Sequence, residues 1–237
     1  MKLRKPVLGV LGGIGALASA EFVKTIYEFS GELAGPEQEA PIVLLHSDPT
    51  FPDRTEALLR GDTQLLLGQL IEALEFLCAM GASQLVICCM TIHYLLPQLP
   101  RPLRERIISL PDVIFSAVES LKKKHLVICS NGTVKLGLLQ QHPRWEHVRN
   151  YLLFPTEAEQ QQMHDLIYKV KRNRDLFEAR LFIESLLARH RVDSFVAGCS
   201  EIHLLTKQLD QAGPEQRGYG CIDPLTIIAR QMVEQSI

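Results

Sequence analysis

The chain has 237 residues, 46% hydrophobic and 22% charged, which is room for one large domain or two of about 100–120 residues. A formal net charge of −2 leaves no electrostatic footprint for nucleic acid or an anionic membrane surface. No apolar run approaches the ~20 residues that a membrane span needs.

Pro6 to Leu11 reads as a first strand that enters a glycine-rich turn, Gly12-Gly13-Ile14-Gly15, with a helix from about Leu17 to Ser30. Such a turn lets the backbone come close to a ligand. However, Gly9, Gly12, Gly13 and Gly15 do not spell G-x-G-x-x-G, and no G-x-x-x-x-G-K-[ST] occurs, so the spacing does not favour a nucleotide. The basic start Met1-Lys-Leu-Arg-Lys-Pro6 resembles a signal n-region, but the apolar run after it stops at Gly12, too short for an h-region. A cytoplasmic protein is expected.

Ala40 to Ser47 reads as the second strand, followed by a proline-stiffened loop, Asp48-Pro-Thr-Phe-Pro-Asp-Arg-Thr55. Arg54 in that loop is a candidate carboxylate clamp, because its planar fork pairs both oxygens at once. The plainer reading is that it caps or solvates a neighbouring helix. Residues 62–80 have helical spacing and stop near Gly81. Leu85 to Cys89 is then a buried strand and turn, with a helix rich in apolar residues after it. Next come a proline-dense connector (95–103), a short strand (107–111) and a helix (112–123).

The order then repeats. Leu126 to Thr133 echoes the first strand and glycine turn, and Leu152 to Glu157 echoes the second strand and proline loop. Helical patterns fill 156–169 and 175–190, and a strand runs from Ser194 to Cys199. A polar loop (213–220) and Cys221-Ile-Asp-Pro224 lead into a last helix, 224–235. Alternating strands and helices predict an α/β fold of two pseudo-symmetric halves, each a mainly parallel sheet flanked by helices. Ligands then collect at the carboxyl ends of the strands, in the cleft between the halves.

Six cysteines, at 78, 88, 89, 129, 199 and 221, are spread along the chain, unlike a secreted disulfide framework. Cys78, Cys88, Cys129 and Cys221 read as small core residues. Cys89 and Cys199 differ: each ends a strand, and both stretches read Cys-x-x-Ile-His, about half a chain apart. They could be core residues too. They could join His93 and His203 in a Cys2His2 zinc site, although the usual Cys-x-x-Cys pair is missing. Or they could be paired acid and base on opposite faces of a substrate carbon, with a helix N-terminus lowering each thiol pKa.

The motifs as a set resemble the aspartate/glutamate racemase family, the cofactor-independent amino-acid racemases. Leu8 to Ala16 resembles the family's opening G-G-M-G-P stretch, Pro52-Asp-Arg-Thr55 its P-D-R-T loop, and Cys89-Met-Thr-Ile-His93 its C-N-T-A-H motif. Asn131-Gly-Thr133 falls at T-G-T, Pro155-Thr-Glu157 at P-T-E, Gly198-Cys-Ser-Glu-Ile202 at G-C-T-E-I, and Ile222-Asp-Pro224 at I-D-P.

The resemblance implies that Cys89 and Cys199 are the acid/base thiols and Arg54 a substrate-carboxylate ligand. Met90, Thr91 and Thr133 would offer backbone or side-chain donors to the substrate, with Ile14, Ile92 and Asn131 beside them. Ser200 and Glu201 would flank the second thiol. The family's lysine after P-T-E would fall on Lys171 or Arg172. The resemblance also implies no cofactor or metal, a small amino-acid substrate and a homodimer. Because the last helix returns to the first domain, the expected division is 1–98 plus 208–237, and 99–207. Ile14 replaces the family's Met, Ala16 its Pro and Met90 its Asn. The expected function is racemisation of aspartate or glutamate. A maleate-isomerase or hydantoin-racemase type of enzyme is the alternative, or a non-catalytic binder of acidic amino acids, which the missing Asn motivates.

Overall fold

The structure is a computed structural model and describes residues 5–33, 36–211 and 218–236. Residues 1–4 of the basic start and 213–217 of the polar loop lie outside them. The first half runs β1 (Val7–Gly12), α1 (Ala16–Leu33), β2 (Ile42–Ser47), α2 (Arg54–Arg60), α3 (Gln64–Ala79) and β3 (Gln84–Ile87). A 3-10 helix, Thr91–Gln98, then α4 (Arg101–Arg104) and α5 (Leu110–Leu121) lead to the second half. There follow β4 (His125–Ile128), α6 (Asn131–Lys135), α7 (Trp145–Val148), β5 (Leu152–Leu153), α8 (Glu157–Val170), α9 (Leu176–His190) and β6 (Ser194–Ala197). The chain ends with α10 (Ile202–Gln211), β7 (Gly220–Ile222) and α11 (Pro224–Glu234).

Among the described residues the strands form two parallel sheets, ordered β2-β1-β3 and β5-β4-β6-β7. The first three strands of each half therefore take the same order, with the glycine-turn strand in the centre, as the repeated motifs predict. Three local expectations change. Arg54 does not sit in a loop but opens α2, because Asp53 accepts the Glu56 N–H at 3.0 Å and caps the helix. The strand expected at 107–111 shrinks to one parallel bridge, Leu85 to Ile107, because Ser109 caps α5 and Pro111 suits its first turn. Residues 220–222, read only as the approach to a helix, form the strand β7 on the edge of the second sheet. The segment 208–237 is thus shared: β7 pairs with β6, while α11 packs along α1 and α5.

Strand alternation sorts the core into layers. From β3 onward, Val86, Cys88 and Met90 enter a cluster that also holds Phe22, Phe115, Val127, Val196 and Met232. Leu85, Ile87 and Cys89 turn to the opposite side, with Leu66, Leu70 and Leu74 of α3. In the second half Val127 and Val196 join the shared layer, whereas Phe195, Ala197 and Cys199 face α8 and α9. The shared layer, built on α1, α5 and α11, ties the two sheets together. The turn after β1 is closed by the protein itself: a Cβ on Gly13, which has φ +81°, would lie 2.3 Å from the Asp48 backbone. The Asp48 backbone, directly after β2, fills that turn.

Candidate active site

The carboxyl ends of both sheets converge on the two cysteine turns. Cys89 follows β3 and Cys199 follows β6, each 7% exposed. They are within electrostatic reach of one another, so negative charge on one opposes it on the other. Cys88, one residue before, is fully buried and points into the shared core, where burial raises its thiol pKa far out of working range.

The neighbours of the two thiols carry opposite charge. Against Cys89 lies the Arg54 guanidinium, held by the Ile14 carbonyl at 3.0 Å and the Pro52 carbonyl at 3.3 Å. Its Nε–H is buried with no acceptor. Burial works against the Arg54 charge, but Cys89, Asp53 and Glu201 outweigh it and hold the pKa above its usual value. On the other side, the Cys199 thiol donates to Glu201 Oε2 at 2.8 Å, and the Ser200 hydroxyl donates to the same oxygen at 3.3 Å. Burial, then Glu201, pushes the Cys199 thiol well up, and Lys171 offsets part of this. The lowering expected from a helix N-terminus is therefore reversed at Cys199, because desolvation and an adjacent carboxylate both disfavour thiolate.

Glu201 is 2% exposed, and its Oε1 has no hydrogen-bond donor. That oxygen faces Lys171 Nζ at 4.0 Å and the β1 turn, where a Cβ on Gly15 would come within 2.7 Å. Gly15 thus lets the first half close onto the second. Lys171 ends α8 and lies 4.1 Å from the centre of the Tyr168 ring. Burial lowers its pKa, but Glu201 and Cys199 more than compensate, and the ammonium stays charged. Arg172, one residue on, is exposed and away from this group. Tyr168 was missed from the sequence. Its hydroxyl donates to Asp53 at 2.8 Å, tying α8 to the cap of α2. A signal for it existed, since it stands three residues before Lys171 and so on the same helix face.

A patch of hydroxyls joins the two halves beside the thiols. Thr91 Oγ1 is 3.2 Å from Ser130 Oγ and 3.3 Å from Thr133 Oγ1, joining the Cys89 turn to the β4 turn. Asn131 spends its side chain on α8, donating to Gln161 and accepting from Gln160. Ile14 and Ile92 turn their side chains into apolar core, leaving only backbone for a ligand. Met90 likewise lies in the shared core, 1% exposed.

The two histidines do not join the cysteines. His93 Nε2 accepts the Leu110 N–H at 3.2 Å, so its Nδ1–H donates to the Cys89 carbonyl at 2.9 Å, and burial lowers its pKa to about 4. His203 pairs with Asp223 at 2.6 Å and with Thr25 at 3.1 Å. Among the described residues no three His, Cys, Asp or Glu side chains are arranged to hold a metal ion.

A sequence-family model described as Asp/Glu/Hydantoin racemase matches residues 11–232. The chain belongs to the Asp/Glu/Hydantoin racemase family. Solved racemase structures share its fold at low sequence identity. Aspartate racemase of Picrophilus torridus is 20% identical, covers 98% of this chain and 94% of its own, and has a TM-score of 0.80. Glutamate racemase of Campylobacter jejuni is 17% identical over 97% and 85%, with a TM-score of 0.61. Allantoin racemase of Klebsiella pneumoniae is 17% identical over 97% and 86%, with a TM-score of 0.56.

Proposed function

We propose that the protein interconverts the L and D forms of an acidic amino acid by proton transfer between Cys89 and Cys199, without a cofactor. The observation that carries this reading is the pair of thiols with unlike partners: Arg54 against Cys89, and Glu201 in hydrogen-bond contact with Cys199. Inversion of a carbon needs a base on one face and an acid on the other. Cys199, its pKa raised, enters as the acid in one direction and Cys89 acts as the base. For the opposite enantiomer the roles exchange, and Lys171 helps to hold the charge that Cys199 then acquires. Arg54 and Lys171 offer a cation to each carboxylate of a dicarboxylate, and the Thr91, Ser130 and Thr133 hydroxyls solvate the remaining oxygens. Glu201 Oε1, buried and undonated, is an acceptor for the substrate ammonium.

Two half-buried cations argue for aspartate or glutamate over a neutral hydantoin ring. The Met90 side chain lies in the core, so the absence of an Asn there does not by itself argue for a binder without turnover. The same reading includes a cytoplasmic homodimer. Light scattering at micromolar concentration tests the assembly, and a monomer mass rejects it. For the activity, the protein is incubated with L-aspartate and L-glutamate in deuterium oxide. Deuterium at the α-carbon together with the D enantiomer is expected. Exchange at neither substrate, with turnover of a hydantoin or of maleate, would replace this reading with the other branch of the family.

A further inference from the structure

A cleft of about 370 Å³ lies away from the thiols, between the 3-10 helix at Tyr94–Pro97, Arg104 of α4, the start of α5 and the turn at Leu138–Pro143. The pseudo-symmetry of the fold accounts for it. In the first half the glycine-turn strand is followed by the 18-residue α1, whose Phe22 and Thr25 cover His203: Phe22 meets the ring edge-on at 6.5 Å and Thr25 bonds Nε2. The equivalent helix of the second half, α6, has five residues and gives way at Gly137, φ +60°. His93, the counterpart of His203, is therefore not covered by a long helix, and its ring forms part of the cleft wall.

The lining is chiefly apolar: Leu96, Pro97, Ile107, Pro111 and Leu138, with the Tyr94 ring. At its edge Arg104 is exposed, its guanidinium hydrogen-bonded only to the Pro97 carbonyl at 3.3 Å and to no carboxylate among the described residues. The carboxylate in the lining, Asp112, is already met by His142 Nε2 at 3.2 Å and by Arg144 at 4.0 Å. We propose that this cleft is a second binding site, for a small carboxylic acid with an aromatic or branched apolar body. The body takes the apolar lining and the carboxylate takes Arg104. The ligand would rest on His93, whose other nitrogen holds the Cys89 carbonyl, so the site borders the reactive turn without using its side chains.

Calorimetry with 3-phenylpropanoate on the full chain tests the site, with 3-phenylpropanol as the uncharged control. Saturable binding is expected, about tenfold weaker or more for the alcohol and for Arg104→Met. Leu138→Trp, which fills the cleft, is expected to abolish it, and its circular dichroism reports whether the fold is kept. Leu138→Met, which keeps the volume, should bind like wild type. No saturable heat with the wild type overturns the proposal. So does binding that both Arg104→Met and a folded Leu138→Trp leave unchanged, because the acid then sits elsewhere, for instance on Arg54. None of these readouts depends on turnover, so the site and the racemase reading fail independently.

Discussion

Cys199 donates its thiol hydrogen to Glu201 Oε2 across 2.8 Å, in a place where both groups are almost wholly buried. The carboxylate keeps the proton on sulfur, since a thiolate there would face a second negative charge in a poor solvent. Glu201→Gln removes the charge and keeps the shape. The Cys199 pKa should then fall towards its ordinary value, moving the alkaline limb of thiol alkylation to lower pH. Racemisation is expected to drop on the order of 100-fold, by the same factor in kcat/KM for both enantiomers. An unchanged alkylation profile would show that Glu201 does not control this thiol.

The proposed mechanism places the two thiols on opposite faces of the α-carbon. Cys89→Ser and Cys199→Ser should each abolish full racemisation. Each should retain exchange of the α-hydrogen of one enantiomer, and the preferred enantiomer should differ between them. Cys88→Ser is the control: its side chain lies in the shared core, so it should cost about 1–2 kcal/mol of stability and leave turnover intact. Loss of activity in Cys88→Ser equal to that in Cys89→Ser, with the fold kept, would move the first thiol.

Lys171 and Arg172 are adjacent in sequence but not in role. Lys171 stands at Glu201 and over Tyr168, and Arg172 is exposed. Lys171→Met should lower kcat/KM roughly 10- to 100-fold, the worth of one charge-assisted hydrogen bond of about 1.5–3 kcal/mol. Arg172→Met should leave kcat/KM at the wild-type value. Steady-state kinetics with both enantiomers decides.

Met90→Asn introduces the amide that the related motif carries. Here the Met90 side chain packs in the apolar layer between the sheets and is 1% exposed. Burying an amide there should lower stability by about 1–3 kcal/mol without raising turnover. Thermal unfolding monitored by circular dichroism gives the first quantity and the exchange assay the second. A gain in rate with no loss of stability would show that the side chain turns into the cleft.

The repeat of strand–glycine turn, strand–proline loop and strand–cysteine turn was enough to determine the α/β class, the two like halves and the strand ends where Cys89, Arg54 and Cys199 collect. These features are legible because strand and turn chemistry is local: β-branched runs, glycine and proline act within a few residues. The choice of Cys89 over its neighbour also has a local basis, since side chains alternate across a strand, but the face that holds the core is set by the packing of α1, α5 and α11. Only the tertiary structure decided that Lys171 faces Glu201 while Arg172 is exposed, that Tyr168 ties α8 to the cap of α2, that β7 pairs with β6, and that Glu201 raises the Cys199 pKa. The first three depend on contacts between residues distant in sequence, 30 in the case of Lys171 and Glu201; Cys199 and Glu201 are close in sequence, and it is burial that converts a turn expected to favour thiolate into one that favours thiol.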